Sequence, residues 1–395
     1  MVVVDKSAEN KYIVFMILRN LQERIVKQLK NTDLPRGVIL YGPRQVGKTT
    51  LTQEIIKYFD QKTLVLSGDR ESVERKILES REWEKMKLLL ADYELLVIDE
   101  AQRVKEVGLI AKIILDTRKD LKLILTGSAA LDLASKVSEP LTGRAYSYRL
   151  WPIGQNELSG MMTYAERLAN LEERVIYGSY PKLVLLNSQE EKHNYLHELV
   201  DKYLYKDILD YGGIRNPRKV RDLLKLVAYQ VGNQVSIAEL AAQLELSRDA
   251  VNNYIDLLEA SFVIFRLPGF GRNLRNEMKK MNKIYFWDTG VRNALINQLN
   301  WKSERQDWGQ LWENYVIGER MKRNEYEGWR ANYYYWRLAS GAELDLVEER
   351  GVELLGVEIK SGNKSPNAPT SWSTGYTQAK YQVVNSENWE EWVRE

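Results

Sequence analysis

The stretch Gly37 to Thr50, GVILYGPRQVGKTT, constrains this chain more than any other. A short apolar strand, Val38-Ile39-Leu40, runs into Gly42-Pro43-Arg44-Gln45-Val46-Gly47-Lys48-Thr49-Thr50. Two glycines enclose four residues and are followed by lysine and hydroxyl residues, the spacing of a phosphate-binding loop. Gly42 and Gly47 let the backbone bend so that successive N–H groups point inward as an anion-binding nest. The helix beginning near Lys48 adds the positive end of its dipole. Lys48 is then placed for the β- and γ-phosphates, and the Thr49 hydroxyl for Mg2+. A glycine-rich strand-to-helix turn without a ligand has the same outline. A strand before it and a helix after it argue for a nucleotide site.

Length and composition bound what surrounds that loop. A chain of 395 residues is too long for one compact domain, so two or three are expected. With 44% hydrophobic and 28% charged residues it reads as a globular protein able to bury a sizeable core. A net charge of +2 argues for neither a polyanion partner nor a membrane, so a nucleic-acid surface must be a local patch. The absence of cysteine excludes disulfides, thiolate metal sites and cysteine nucleophiles, and fits a cytoplasmic location. The apolar run Tyr12 to Leu18 is too short to span a bilayer and lacks a cleavage site. It reads as the start of a helix packed beside the nucleotide base.

Strand and helix alternate through the first 150 residues. Thr49 to Phe59 is an amphipathic helix and Thr63 to Leu66 a second strand. Glu71 to Leu90 is helical with a break near Glu79-Ser80. Leu95-Leu96-Val97-Ile98 is a continuous apolar run ending in Asp99-Glu100, as expected of a strand buried on both faces. Gly108 to Arg118 is a helix, and Leu121 to Leu125 a fourth strand ending in Thr126-Gly127-Ser128. This α/β alternation predicts a doubly wound parallel sheet with its ligands at the carboxyl ends of the strands.

Those strand ends supply further chemistry. Asp99 sits where a Mg2+-associated carboxylate is expected, and Glu100 is a candidate general base for the attacking water. An acid pair at a strand end also serves as surface capping; the phosphate loop upstream favours the functional reading. Thr126 and Ser128 are candidate sensors of the water or γ-phosphate, with an ordinary turn as the alternative. Arg144 is a candidate cation for the transferring phosphoryl group, in cis or toward a neighbouring subunit, or else a solvated arginine.

Taken together, GPRQVGKTT, LLVIDEAQ, LILTGSAALDL and LTGR resemble the prokaryotic AAA+-type ATPases that carry a C-terminal domain of unknown function. Gly178 to Val184, Lys283 to Gly290, Leu311 to Val316 and Gly356 to Gly362 extend the resemblance over almost the whole chain. The resemblance implies ATP and Mg2+ as ligands, with Lys48 and Thr49 on phosphate and metal, Asp99 on metal and Glu100 in catalysis.

The middle of the chain reads as helical. His193 and His197 lie four apart on a charged helix, a spacing a metal can use, but no third ligand is evident and a solvated face is favoured. From Asn216 three helices follow, two of them opened by Ser236 and Ser247 as N-caps. With Phe262 to Leu267 as the strand of a wing, this is helix-turn-helix grammar. Arg248 is the one cation between Ser247 and Ser261, against Asp249, Asp256 and Glu259, so a packing module is favoured over base readout. Arg266, Arg272, Arg275, Lys279, Lys280 and Lys283 then face only Glu277, a candidate nucleic-acid patch or a solvated loop.

The last 120 residues hold a second candidate site. Glu313 lies on a helix, Asp345 on a strand, and Glu358-x-Lys360 thirteen positions further on another. That order resembles the restriction-endonuclease-like core, in which carboxylates bind Mg2+ and the lysine assists the attack of water. A fold relic that binds without cutting is the alternative. Eight of the eleven tryptophans lie beyond residue 300 and are expected to build a core.

The expected architecture is a phosphate-loop ATPase domain at 1–155, a helical and winged-helix segment at 156–275, and a restriction-endonuclease-like domain at 276–395. The expected function is Mg2+-dependent ATP hydrolysis by a switch or motor acting on nucleic acid, in a homo-oligomer or with a protein partner. The alternatives are an ATP-gated DNase and a slow, nucleotide-controlled assembly protein.

Overall fold

The structure is a computed structural model that describes residues 17–59, 62–128, 133, 136–137, 139–204, 216–271 and 281–394. It divides into two compact units. One is Leu18–Trp151 with Ala260–Phe262, and the other Pro152–Glu259 with Val263–Glu395.

The first unit alternates as expected: α1 (Asn20–Lys30), β1 (Gly37–Tyr41), α2 (Lys48–Ile56), β2 (Thr63–Ser67), α3 (Val73–Ser80), α4 (Trp83–Leu90), β3 (Leu95–Asp99), α5 (Val107–Thr117) and β4 (Lys122–Gly127). A fifth strand, β5 (Ala145–Arg149), follows. All five run parallel in the order β2-β3-β4-β1-β5. Parallel neighbours need crossovers, which α2, α3 with α4, and α5 supply. The apolar runs explain the middle of the sheet. β1 is buried at every position, and β3 and β4 at all but one. Each Val, Leu or Ile so buried contributes roughly 1.5–3 kcal/mol relative to exposure.

Helix periodicity does the rest. In α1, Leu21, Ile25, Val26 and Leu29 are buried while Glu23, Arg24, Lys27 and Lys30 face water. α5 buries Val107, Ile110, Ala111, Ile114 and Leu115, the same stripe. Gln28 ties α1 to the sheet: its Nε2 donates to the Gly37 carbonyl at 3.0 Å, and its Oε1 accepts from the Tyr148 hydroxyl at 2.6 Å.

The second unit opens with short helices and reaches the three expected ones, Pro217–Tyr229, Ile237–Leu244 and Arg248–Ala260. Ser236 Oγ accepts from the Glu239 amide at 3.3 Å and Ser247 Oγ from the Ala250 amide at 3.1 Å, as capping residues. Three short strands, β6 (Gln234–Val235), β7 (Ile264–Leu267) and β8 (Asn282–Phe286), form an antiparallel sheet with β8 in the middle. The helix Trp308–Glu327 precedes a four-stranded sheet of β9 (Asn332–Arg337), β10 (Glu343–Arg350), β11 (Glu353–Ile359) and β12 (Lys380–Val384). Its order is β12-β11-β10-β9, antiparallel except for the β11–β12 pair.

One hydrophobic core runs through this unit from Val175 to Val393. The helical segment and the C-terminal sheet, expected as separate domains, therefore share buried surface. Trp312, Trp389 and Trp392 belong to that core, and Trp336 and Trp372 to a smaller cluster on the sheet, the structural use expected of them. Among the described residues no helix is long and apolar enough to cross a membrane.

Candidate functional site

Sheet register brings the carboxyl ends of β1, β3 and β4 to one edge, with Tyr41 opposite Gly127 and Ile98 opposite Leu125. The phosphate loop leaves β1 at that edge. Three of its residues take positive φ: Gly42 at 152°, Gln45 at 60° and Gly47 at 96°. A side chain at Gly42 would place its Cβ 2.3 Å from the Leu150 carbonyl oxygen, so only glycine fits. Gly47 is the N-cap of α2, and no side chain caps that helix. The first amides of α2 thus face the loop, where an anion satisfies them.

Lys48 is 6% exposed, and its Nζ donates to the Gly42 and Pro43 carbonyls at 2.8 and 2.9 Å. Thr49 Oγ1 donates to Asp99 Oδ2 at 2.9 Å, joining α2 to the end of β3. The other Asp99 oxygen accepts from the Thr126 hydroxyl. Glu100 has left-handed backbone, φ 49°, and its Oε2 accepts from Gln102 Nε2 at 2.5 Å and from Ser128 Oγ at 3.3 Å. The expected members of the site, Gly42 to Thr50 with Asp99, Glu100, Thr126 and Ser128, therefore converge on one edge.

These residues suit a magnesium nucleotide. The nest and the uncapped helix end fit a polyphosphate, and the Thr49 hydroxyl and Asp99 carboxylate already lie within hydrogen-bond reach of each other. Mg2+ needs one or two protein oxygens and takes the rest from phosphate and water.

Arg144 is elsewhere. It precedes β5, its carbonyl accepts from the Gly37 amide at 2.9 Å, and its guanidinium pairs with Asp116 at 2.6 Å. It stands at the amino edge of the sheet, about 16 Å from the loop at roughly 3.3 Å per strand residue. A role in cis is thereby removed. The β5 arginine at the correct edge is Arg149, in register with Tyr41. Sequence reading also missed Gln102, which neither apolar periodicity nor the acid pair singles out. Its signal is its place two residues after Glu100.

Two members of the expected basic patch, Arg266 and Lys283, fall within the described residues. Lys283 is 3% exposed, and Arg266 pairs with Asp256 at 2.8 Å and with Glu259. Arg272, Arg275, Lys279 and Lys280 lie outside the described residues. His193 meets the Tyr177 hydroxyl at 3.2 Å, a hydrogen bond without metal character.

Glu313, Asp345, Glu358 and Lys360 do come together, with Lys283, which sequence reading placed in the basic patch, and with Tyr285 and Glu343, which it did not single out. A break in the β9–β10 register between Leu344 and Val347 lies at Asp345, the local irregularity that re-aims a strand side chain. Asp345 Oδ2 accepts from the Ile359 amide at 2.7 Å, and Lys360 pairs with Glu358. Burial, reinforced by Glu313 and Glu358, pushes the Asp345 carboxyl well above its usual range. Burial likewise raises Glu313 against the pull of Lys283. Burial opposes the charge of Lys283, but Glu313, Asp345 and Glu343 outweigh it and hold the ammonium above its ordinary value.

Comparison with known proteins agrees with the first unit. Residues 35–159 match the family described as AAA domain. Residues 168–304 and 308–392 match two families described as Domain of unknown function (DUF8612 and DUF4143). An uncharacterized protein of Mycobacterium tuberculosis is 27% identical over 82% of this chain and 70% of its own length. One of Methanocaldococcus jannaschii is 25% identical over 91% of this chain and 85% of its own. Among solved structures, the walker-type ATPase of Pyrococcus abyssi is 17% identical, with a TM-score of 0.49 over 71% of this chain and 96% of that one.

Proposed function

We propose that this chain binds ATP with Mg2+ and hydrolyses it, as a nucleotide-driven switch or motor. The observation that carries the reading is the single sheet edge on which the loop, the uncapped end of α2, and the Asp99-Glu100 pair meet. When bound, Mg2+ draws electron density from the phosphate oxygens and neutralises charge on the leaving group. Lys48 exchanges its two loop carbonyls for phosphate oxygens, one set of charge-assisted bonds for another. Thr49 and Asp99 hold the ion from opposite elements. Glu100, released from Gln102 and Ser128, orients the attacking water and takes its proton. Thr126 and Ser128 stand beside both acids and report which partner each holds.

Arg144 is kept as a cation offered to a neighbouring copy. Its pairing with Asp116 is exposed, the kind of ion pair that water and salt weaken, so little holds it in place. That role requires turnover per chain to rise with protein concentration, and Arg144→Ala to flatten the rise. Turnover independent of concentration in the natural chain would remove it. Nothing among the described residues speaks for a nucleic-acid partner.

The central test pairs calorimetry with phosphate release. Lys48→Ala is expected to abolish ATP binding. Glu100→Gln is expected to bind ATP normally and turn over about 10²–10⁴-fold more slowly, the usual weight of a general base. Full turnover in the Glu100→Gln chain would take that residue out of the mechanism. A natural chain indifferent to ATP with Mg2+ would end the reading altogether.

A further inference from the structure

The C-terminal acids have the order of a metal-binding set, but the space among them is taken. Lys283 Nζ lies 2.7 Å from Glu343 Oε1 and 3.2 Å from Glu313 Oε1, above the Tyr335 ring at 5.6 Å. The Tyr285 hydroxyl donates to that same Glu313 oxygen. Strand alternation explains the convergence: Lys283 and Tyr285 share one face of β8, as Glu343 and Asp345 do at the start of β10. Asp345 is engaged by the Ile359 amide and Glu358 by Lys360. Among the described residues no group of three or more acids or histidines is fit to hold a metal ion.

Charge balance points the same way. The carboxylates are Glu313, Glu343, Asp345 and Glu358. Facing them are Lys283, Lys360 and, at 3.5 Å from Glu343, Arg337. Three cations against four carboxylates leave one formal negative charge, so the cluster is close to neutral without a divalent ion.

We propose that Lys283 is the resident cation of this cluster, so that the natural chain binds no metal there and cleaves no phosphodiester through these acids. The restriction-endonuclease-like residues are then a nearly charge-balanced joint between two sheets. Lys283 belongs to the middle strand, paired with Gln234 on one side and Leu267 on the other. Its backbone is fixed by both ladders, and its side chain is 3% exposed, so the ammonium starts from a set position among the acids. This inference does not rest on the ATPase reading, since it concerns other residues in the other unit.

Mn2+ alone serves as the probe, followed by the loss of its free electron-paramagnetic signal in nucleotide-free full-length protein. The natural chain and Asp345→Asn are expected to bind the same number of ions with the same affinity. Loss of one ion in Asp345→Asn would overturn the proposal. Lys283→Ala, with its fold checked by circular dichroism, is expected to gain one Mn2+ that the natural chain does not bind. Adding Asp345→Asn to that chain is expected to abolish the gain. A folded Lys283→Ala chain that gains nothing would overturn the proposal. If that variant fails to fold, the comparison of the natural chain with Asp345→Asn still decides. Supercoiled plasmid with Mn2+ is expected to stay intact; nicking that Asp345→Asn abolishes would also overturn it. Repeating the titration with Lys48→Ala separates this result from any failure at the nucleotide loop.

Discussion

Glu100 is held aside by two neighbours, and Gln102 is the stronger of them. Its Nε2 lies 2.5 Å from Glu100 Oε2, while its own Oε1 is buried without a hydrogen-bond partner among the described residues. An amide so placed stabilises the charged carboxylate where it is rather than where water is attacked. Hydrogen bonds to charged groups are worth about 1.5–3 kcal/mol, so freeing Glu100 lowers the cost of reaching its working position. Gln102→Ala is expected to raise basal ATP turnover by up to roughly tenfold, about 1.4 kcal/mol, with ATP affinity little changed. Steady-state kinetics give the answer; a fall in kcat would mean that Gln102 supports the working position instead. At this scale the phosphate loop and the acid pair were legible, because their chemistry lies in consecutive residues. Gln102 and Lys283 were not, because their partners are fixed only when separate strands come into register. Lys283 read as one more surface cation in a basic run, and burial changed its meaning.

Elements of the first unit follow the continuity of their apolar runs. β3 is the clearest: Leu95 to Ile98 are buried and flanked on both sides by strands. Ile98 is 1% exposed, one residue before Asp99. Ile98→Ala is expected to cost about 2–5 kcal/mol of stability by the usual measure of core truncation, read as an earlier urea midpoint. A change below about 0.5 kcal/mol, as at a surface site, would mean that β3 is not the buried centre of the sheet. β5 shows why one strand escaped notice. At the sheet's edge, Ala-Tyr-Ser-Tyr-Arg buries only Tyr148 fully and leaves Tyr146 44% exposed. Its polar residues carry no core signal, and its place comes from pairing with β1. β12 was hidden for the same reason, since only Val384 of its five residues is fully buried. The three helices from 217 to 260 were legible from their hydroxyl caps. The merging of their core with the C-terminal sheet was not, since it depends on contacts far apart in sequence.

For the whole molecule, the buried acids set a pH dependence of stability. The Asp345 carboxyl is raised in the folded chain, so between its unfolded value near 4 and its folded value the native state holds the extra proton. Stability is therefore lost as pH rises through that window, in the opposite sense to an ordinary ion-paired acid. Asp345→Asn removes the ionisation and keeps an acceptor for the Ile359 amide. Its melting temperature is expected to match the natural chain's below pH 4 and to exceed it increasingly toward neutral pH. Equal melting at neutral pH would show that Asp345 ionises there without penalty. The middle position of β8 has a mechanical consequence as well. One of its ends is tied to β10 by the ion pair of Lys283 with Glu343 while its edges pair with β6 and β7, so a single strand anchors the small sheet to the C-terminal one.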